Sequence, residues 1–529
     1  MKPAVLLFAL VPTLLLAQQG TQPQPGEPID FMTIVIEGKE TLNLPKSLLK
    51  VAPQLPAPYD SVALDSINPL EKVPLFRSSP PEQPRHIVLQ SNDKLTLEAS
   101  AGLYGFATIA GHLQTPVAHY TLDLDALLDR GGDYVPNADY LRTRLHAITR
   151  TAYQTSADQP YTVNSGEFLF DHHRYQLFAQ ATAPQRSLRR LSLAIAQQGT
   201  LGERSFNATL GIRNTHLTHT DSISTDESEL GGTVRVDALH LDEQRIEAMA
   251  DLSYRNYRGT ALHFHTIGLI GHRDDSTLAL RATLAAQIAT TSWRSTEFSP
   301  RVEIGATWRT FESLWLDASL STGMEVVRFA ELSAESLYIT DTAAIGVRRA
   351  SYRVGITATY APTDAFMVEL SAAMASFADA PFLETLPDAT MAPFYAAQLV
   401  RSADLRFQYI PASSNHIAAT VHLRDAQFSD GSRVPYQPIL RATVEYGRAI
   451  SDRLIGSVQC GYVSTRLPAR SSTSSLGGFF LLGAHVEYQL SPMIAITATF
   501  DNLLGSIYER WLGYRERGSF VGIGAIVRL

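Results

Sequence analysis

From Lys94 to Leu529, apolar and polar residues alternate one by one over run after run. Tyr352, Val354, Ile356, Ala358 and Tyr360 share one parity, with Arg353, Gly355, Thr357 and Thr359 between them. Beyond Ala361-Pro-Thr-Asp364 the pattern resumes, with Phe366, Val368, Leu370, Ala372 and Met374 set against Glu369 and Ser371. The same texture holds over Ile417–Arg424, Leu440–Tyr446 and Ile494–Asp501. Successive side chains of an extended strand point to opposite faces, so each run predicts a strand with one apolar and one polar face. The runs are roughly 9–14 residues long, enough to cross a bilayer at a tilt. In the last one, Ser519–Leu529, Val521, Ile523, Ala525, Val527 and Leu529 alternate with Gly522, Gly524 and Arg528. A strand of this kind is expected to pair with the first and leave no open edge.

The connections carry a second pattern. Short polar turns are expected at 361–364, 411–415, 449–452 and 490–492. Longer loops fall between them, at about 329–345, 379–397, 427–436, 467–476 and 510–518. Short and long alternate as periplasmic turns and extracellular loops do. The fold predicted is all-β, a transmembrane antiparallel up-and-down barrel of about 22 strands. Its count is least defined over 129–172. Trp308, Tyr360, Tyr409, Tyr446, Tyr488 and Trp511 fall near strand ends, where headgroup-level aromatics belong. A soluble propeller or solenoid would repeat at a fixed period, and no such repeat is present.

Composition agrees. Charged residues are 18% of the 529 and hydrophobic ones 45%. That is too polar for a helical membrane protein and normal for a barrel with one wet face. Residues 1–17 read as a signal peptide, with Lys2 before the apolar core Ala4–Leu16. Residues 18–92 form a proline-rich segment, irregular apart from a possible short helix at Tyr59–Ile67. The barrel is assigned to 93–529. The expected location is the cell outer membrane, with outer-membrane lipid as the immediate partner. Cys460 is the single cysteine, so no disulfide framework exists. The net charge of −8 and the lack of a Lys/Arg run give nucleic acid no footprint.

The C-terminal stretch resembles the end of TonB-dependent receptor barrels. The matching positions are Asn502, Leu503, Tyr508, Glu509, Gly513, Tyr514, Gly518 and Phe520. Leu95–Gly102 with Tyr104-Gly105 is similar to that family's first barrel hairpin, and Asp129–Tyr134 to its first extracellular loop. The resemblance implies a barrel of the predicted size and a role in uptake. It also implies a folded plug of well over a hundred residues. The segment before Lys94 is shorter than that and rich in proline, so a barrel lacking the usual plug is expected. Met32, Thr33, Ile34, Val35 and Ile36 resemble the short β-prone box that pairs with TonB; an ordinary N-terminal strand is the other reading.

Lumen-facing charges of both signs are expected at Arg281, Glu303, Arg309, Asp317, Arg353, Glu369, Arg406, Arg424, Arg441 and Glu445. They read either as a selectivity lining or as a self-neutralised wet wall. His263 and His265 share a strand face, His272 follows, and His216, His219 and Asp221 precede an acidic loop, Asp226–Glu229. No cysteine or carboxylate spacing completes a ligand set, so neither metal nor cofactor is expected. No nucleophile-turn signature is present, and no catalytic activity is expected. The reading is passage or uptake of an unidentified solute. A barrel this wide needs a gate, supplied by the N-terminal segment or by a separate plug protein, with a TonB-type coupler as a further partner. The alternatives are a non-transporting scaffold subunit and a fatty-acid-type channel of fewer strands.

Overall fold

A computed structural model of the protein describes residues 95–529, apart from 118–119, 133, 154–161, 202–203, 220–223, 242–243, 276, 292–293 and 413–414. In chain order the strands are β1 (Leu95–Gly102), β2 (Ala107–Val117), β3 (Tyr120–Gly131), β4 (Tyr140–Tyr153), β5 (Thr162–Gln176), β6 (Gln185–Leu201), β7 (Arg204–His219), β8 (Ser224–Leu241), β9 (Gln244–Tyr257), β10 (Thr260–Asp274), β11 (Leu278–Thr291) and β12 (Arg294–Phe311). They continue as β13 (Leu314–Val326), β14 (Val347–Thr363), β15 (Phe366–Thr385), β16 (Met391–Ala412), β17 (Asn415–Phe428), β18 (Leu440–Ser451), β19 (Leu454–Val463), β20 (Phe479–Gln489), β21 (Ile494–Asp501), β22 (Glu509–Trp511), β23 (Tyr514–Arg515) and β24 (Phe520–Arg528). One helix, α1 (Phe329–Glu335), lies between β13 and β14.

All but β22 and β23 belong to one 22-stranded antiparallel sheet, and β24 pairs with β1 to close it. Backbone bonds clamp the seam at both ends. Leu529 N–H donates to Leu95 O at 2.8 Å and Leu103 N–H to Val521 O at 3.0 Å. Tyr104 (φ 60) and Gly105 (φ 64) make the tight β1–β2 turn in left-handed backbone. The 129–134 stretch corrects one expectation. It ends β3 and opens the second connection at the loop end rather than the first.

The exterior is apolar and the interior polar. Ile267 (63%), Leu284 (66%), Ile356 (54%) and Ile523 (65%) stand exposed, while Arg255, Glu303, Arg353 and Thr357 are buried. Leaving one such side chain in water rather than apolar surroundings costs about 1.5–3 kcal/mol. Repeated around the circumference, that exterior suits hydrocarbon. The wall height is uneven: β15 and β16 run 20 and 22 residues, whereas β1 and β21 run only 8.

One loop expectation fails. A longer loop was expected over 379–397, yet β15 and β16 keep pairing there from Ala380↔Ala396 to Thr385↔Met391, beyond a bulge. An apolar cluster of Phe377, Phe382, Val400, Phe428 and Val434 holds this high wall, and cluster packing obscures the simple alternation.

Closure at the seam depends on small residues. A Cβ on Gly524 would lie 2.7 Å from both Ala99 O and Thr497 Oγ1. Gly524→Val should therefore lower folding yield and destabilise the barrel by about 1–3 kcal/mol. Ala525→Val, on the exposed face, should be neutral. The gel shift between boiled and unboiled protein checks both, and equal folded fractions would contradict the seam argument.

Candidate functional site, a loop folded into the lumen mouth

The connection between β13 and β14, residues 327–346, turns inward. Its sequence is rich in apolar residues for a loop. Val327, Phe329, Leu332, Leu337, Tyr338, Ile339, Ala343 and Ile345 are all buried. They join one cluster with Tyr140, Tyr175, Leu188, Leu217 and Tyr257 of the barrel wall. Leu383, Met391, Tyr436, Leu476, Trp511 and Tyr514 complete it from the high wall and the other loops. The loop thus bridges the mouth through a dry core, each large apolar side chain contributing about 1.5–3 kcal/mol.

Loops normally stay on the surface because their backbone groups need water. Here the wall takes water's place. Thr225 Oγ1 donates to Asp341 O at 2.6 Å, Arg255 Nη1 to Val327 O at 2.8 Å and Tyr257 OH to Ala343 O at 2.6 Å. Tyr175 OH donates to Leu337 O, and Arg186 Nη1 to Ile339 O. Backbone pairing to the high wall adds Thr340 N–H to Met391 O at 2.7 Å and Met391 N–H to Tyr338 O at 2.9 Å. The five side-chain donors lie on β5, β6, β8 and β9, each on the inward parity of its strand.

The α1 end rests on buried ions. Its first residues have no cap from Arg328. Glu227 of β8 supplies one, accepting Phe329 N–H at 3.0 Å and Ala330 N–H at 2.9 Å. Arg255, wholly buried, stands 3.5 Å from Glu227 and 3.6 Å from Glu229. Arg328 donates to Glu229 at 2.8 Å and to Glu331 at 2.8 Å. Burial opposes the Arg328 charge, but the hydrogen bond and charge of Glu229, together with Glu331, outweigh it and hold the guanidinium above its ordinary value. On the opposite side the β22–β23 hairpin leans over the loop. Tyr514 stacks on Tyr338 at 3.3 Å between ring centres, and Trp511 packs on Tyr436 at 4.6 Å. Burial pushes the Tyr338 and Tyr436 phenols up, so both stay neutral.

The ten charges singled out from the sequence alternate along their strands with exposed apolar residues such as Ile304, Ile356, Leu370, Leu405 and Val444, on the parity opposite to theirs. Several are paired or hydrogen-bonded locally. Arg353 and Arg348 share Glu325, Arg301 pairs with Glu303, Thr307 Oγ1 donates to Asp317 at 2.5 Å, and Arg406 lies 3.9 Å from Glu369. The histidines scatter. His263 and His265 lie on the outward parity with Tyr254, His216 pairs with Asp226, and His272 lies 3.6 Å from Glu247. Among the described residues no three His, Cys, Asp or Glu side chains are placed to hold a metal. Met32–Ile36, the 59–67 helix and the signal segment lie outside the described residues. The sequence reading missed Tyr175, Arg186, Thr225 and Tyr257, and gave no holding role to the inward charge Arg255 or to Glu227 of the acidic 226–229 stretch, which lies in β8 rather than in a loop. The available signal was the apolar content of 329–345, which a solvated loop would not carry.

Removing one partner of a buried ion pair costs about 3–5 kcal/mol. Arg255→Met should therefore release 327–346 without unfolding the barrel. Chymotrypsin should then cut at Phe329 and Tyr338 in the variant and not in the parent, with the heat-dependent gel shift retained in both. Tyr257→Phe, which deletes a single hydrogen bond worth about 1 kcal/mol, should leave the loop largely protected.

No family model and no curated protein matches the sequence. Solved structures do match. The FrpB iron transporter from Neisseria meningitidis aligns over 83% of this chain and 82% of its own, with 11% identity and a TM-score of 0.66. The ferric-catecholate import receptor Fiu from E. coli K12, in its closed form, aligns over the same shares with 8% identity and a TM-score of 0.64. The siderophore receptor PiuA from Acinetobacter baumannii aligns over 83% of this chain and 82% of its own, with 10% identity and a TM-score of 0.63. At these identities the likeness is one of fold, and it agrees with the closing motif around Asn502–Phe520: this chain has the 22-stranded barrel fold of the TonB-dependent receptors.

Proposed function

We propose that the protein sits in the outer membrane and passes or takes up a solute through its lumen, with the 327–346 loop closing the loop-end mouth. The observation that carries this reading is a wide, polar-walled barrel whose mouth is bridged by part of its own chain. A 22-stranded cylinder is too wide for wall side chains to fill. The structural neighbours are named as transporters and import receptors for iron, ferric catecholate, siderophore and copper compounds, which supports uptake over catalysis. In this proposal residues 18–92, or a separate plug protein, gate the turn end, and Met32–Ile36 is the contact for a TonB-type coupler. The non-transporting scaffold is the second reading, favoured by the dry core and buried ions that hold the loop shut.

Planar-bilayer recording separates them. Val327 N–H donates to Gly346 O at 2.9 Å, so the loop's two ends already meet and 329–344 can be replaced by a short Gly-Ser link. That shortened chain should conduct at least about tenfold more than the parent, as expected for an unblocked wide barrel. Removing 18–92 as well should raise conductance further if that segment gates the turn end. Equal conductance with and without 18–92 would remove the segment from the gate. A closed barrel in every variant would favour the scaffold.

A further inference from the structure

Many lumen arginines touch a carboxylate. Arg528 lies 2.9 Å from Glu487, Arg517 3.0 Å from Asp501 and Arg142 3.1 Å from Asp171, and Arg348 and Arg353 share Glu325. The wall beneath the β22–β23 hairpin differs. Arg441, on the inward parity of β18, is exposed to the lumen and has no carboxylate in salt-bridge contact among the described residues. Its register partner on β17 is His422, which is already bonded to Asp404 at 2.7 Å. Arg466 follows β19 by three residues and is only 5% exposed. Its Nη2 donates to Glu509 O at 2.8 Å and its guanidinium lies 5.0 Å from the Phe479 ring centre, but its Nε is buried without a partner. Arg510, in β22, has a buried Nη1 without a partner.

These three guanidiniums are mutual electrostatic neighbours. Burial, then Arg510 and Arg441, hold Arg466 down to about 10. Burial and Arg441 also lower Arg510, against the opposing pull of Glu516 and of Glu335 at the end of α1. Glu516 opposes both shifts, yet Arg466 still ends below its ordinary value, so the three guanidiniums crowd one another where the lumen wall meets the inward loop. Mutual repulsion in a half-dry site is unfavourable for the empty barrel, and an incoming anion relieves it.

We propose that Arg441, Arg466 and Arg510 form an anion-binding site at the inner face of the mouth, for a solute carrying phosphate or carboxylate groups. The guanidinium fork matches both groups through paired N–H donors, and unused N–H donors point to such a ligand. This names a substrate class for the barrel and rests on the transport reading. It can nonetheless fail separately, because binding to purified protein requires no passage.

Calorimetric titration of the full chain in detergent, at low salt, tests it with pyrophosphate as the phosphate probe and citrate as the carboxylate probe. Saturable binding of at least one probe is expected, weakened about tenfold or more by Arg441→Gln and by Arg510→Gln. Arg441→Lys keeps the charge and should bind between the two. Arg401→Gln, on the outward-facing pair with Asp425, should leave binding unchanged. The heat-dependent gel shift verifies folding of each variant. Preference between the probes identifies the anion group. Absence of saturable binding to the parent, or equal losses in the Arg401 control, would overturn the site. Binding without conductance in any shortened chain would keep the site and sink the transport reading.

Discussion

The pairing of β24 with β1 is the constraint from which the remaining architecture follows. In hydrocarbon an open sheet edge leaves backbone donors and acceptors with no water to satisfy them. Closure removes the edge, and the number of strands then sets the circumference. With 22 strands the wall cannot fill its own interior, so inward positions must be polar and the space must be wet or otherwise occupied. The alternation of lipid-facing Val354 and Ile356 with lumen-facing Arg353 and Thr357 is the local expression of that requirement.

The inward loop answers the same constraint from the other direction. A polar wall can hold a backbone away from solvent, provided each carbonyl and amide meets a side chain. Thr225, Tyr257 and Arg255 do so at 2.6–2.8 Å. Ordering a loop of this length costs roughly 1–2 kcal/mol per residue in backbone entropy. Burial of Phe329, Leu332, Tyr338 and Ile339 offsets part of that cost, and the wall donors keep the buried backbone from adding to it. Hydrophobic packing supplies the attraction, while the Arg255–Glu227–Glu229 contacts fix where α1 sits. The ions alone would give little net stability, because taking them out of water costs about what their pairing returns.

Period-two alternation made the barrel legible, because one face meets lipid and the other meets water at every strand. The closing motif around Asn502–Phe520 was legible in another way, through its resemblance to the end of TonB-dependent receptor barrels. The 379–397 stretch misled because its strands rise above the zone where the two faces differ. There Phe377, Phe382 and Phe428 pack in a cluster, and the alternation that marks a strand is lost. The holding residues of the inward loop could not be found by pattern. Tyr175, Arg186 and Tyr257 sit on inward parity like any lumen residue, and only the fold reveals that Leu337, Ile339 and Ala343 come within reach. Arg441 was visible as an inward charge. Its company with Arg466 and Arg510 was not, since the three come from separate strands and loops.

The two sides of the mouth are held by different physics, and this bears on how a solute could get past. On the α1 side, displacement would take Val327 O from Arg255, the Phe329 and Ala330 N–H groups from Glu227 and the Arg328 guanidinium from Glu229, leaving a buried ionic cluster short of partners at a cost of several kcal/mol. On the hairpin side the ties are the Tyr338–Tyr514 stack, the Tyr436–Trp511 contact and the Arg466 bond to Glu509 O. Aromatic contacts of that kind are worth about 0.5–1.5 kcal/mol each beyond their burial. Water or a solute can replace the Arg466 bond. The hairpin side is therefore the weaker half of the closure, and it is the half that carries Arg441, Arg466 and Arg510. An anion drawn to Arg510 and Arg466 would compete directly for the donors that help pin the hairpin down, so binding and loosening of the mouth would be coupled through the same side chains.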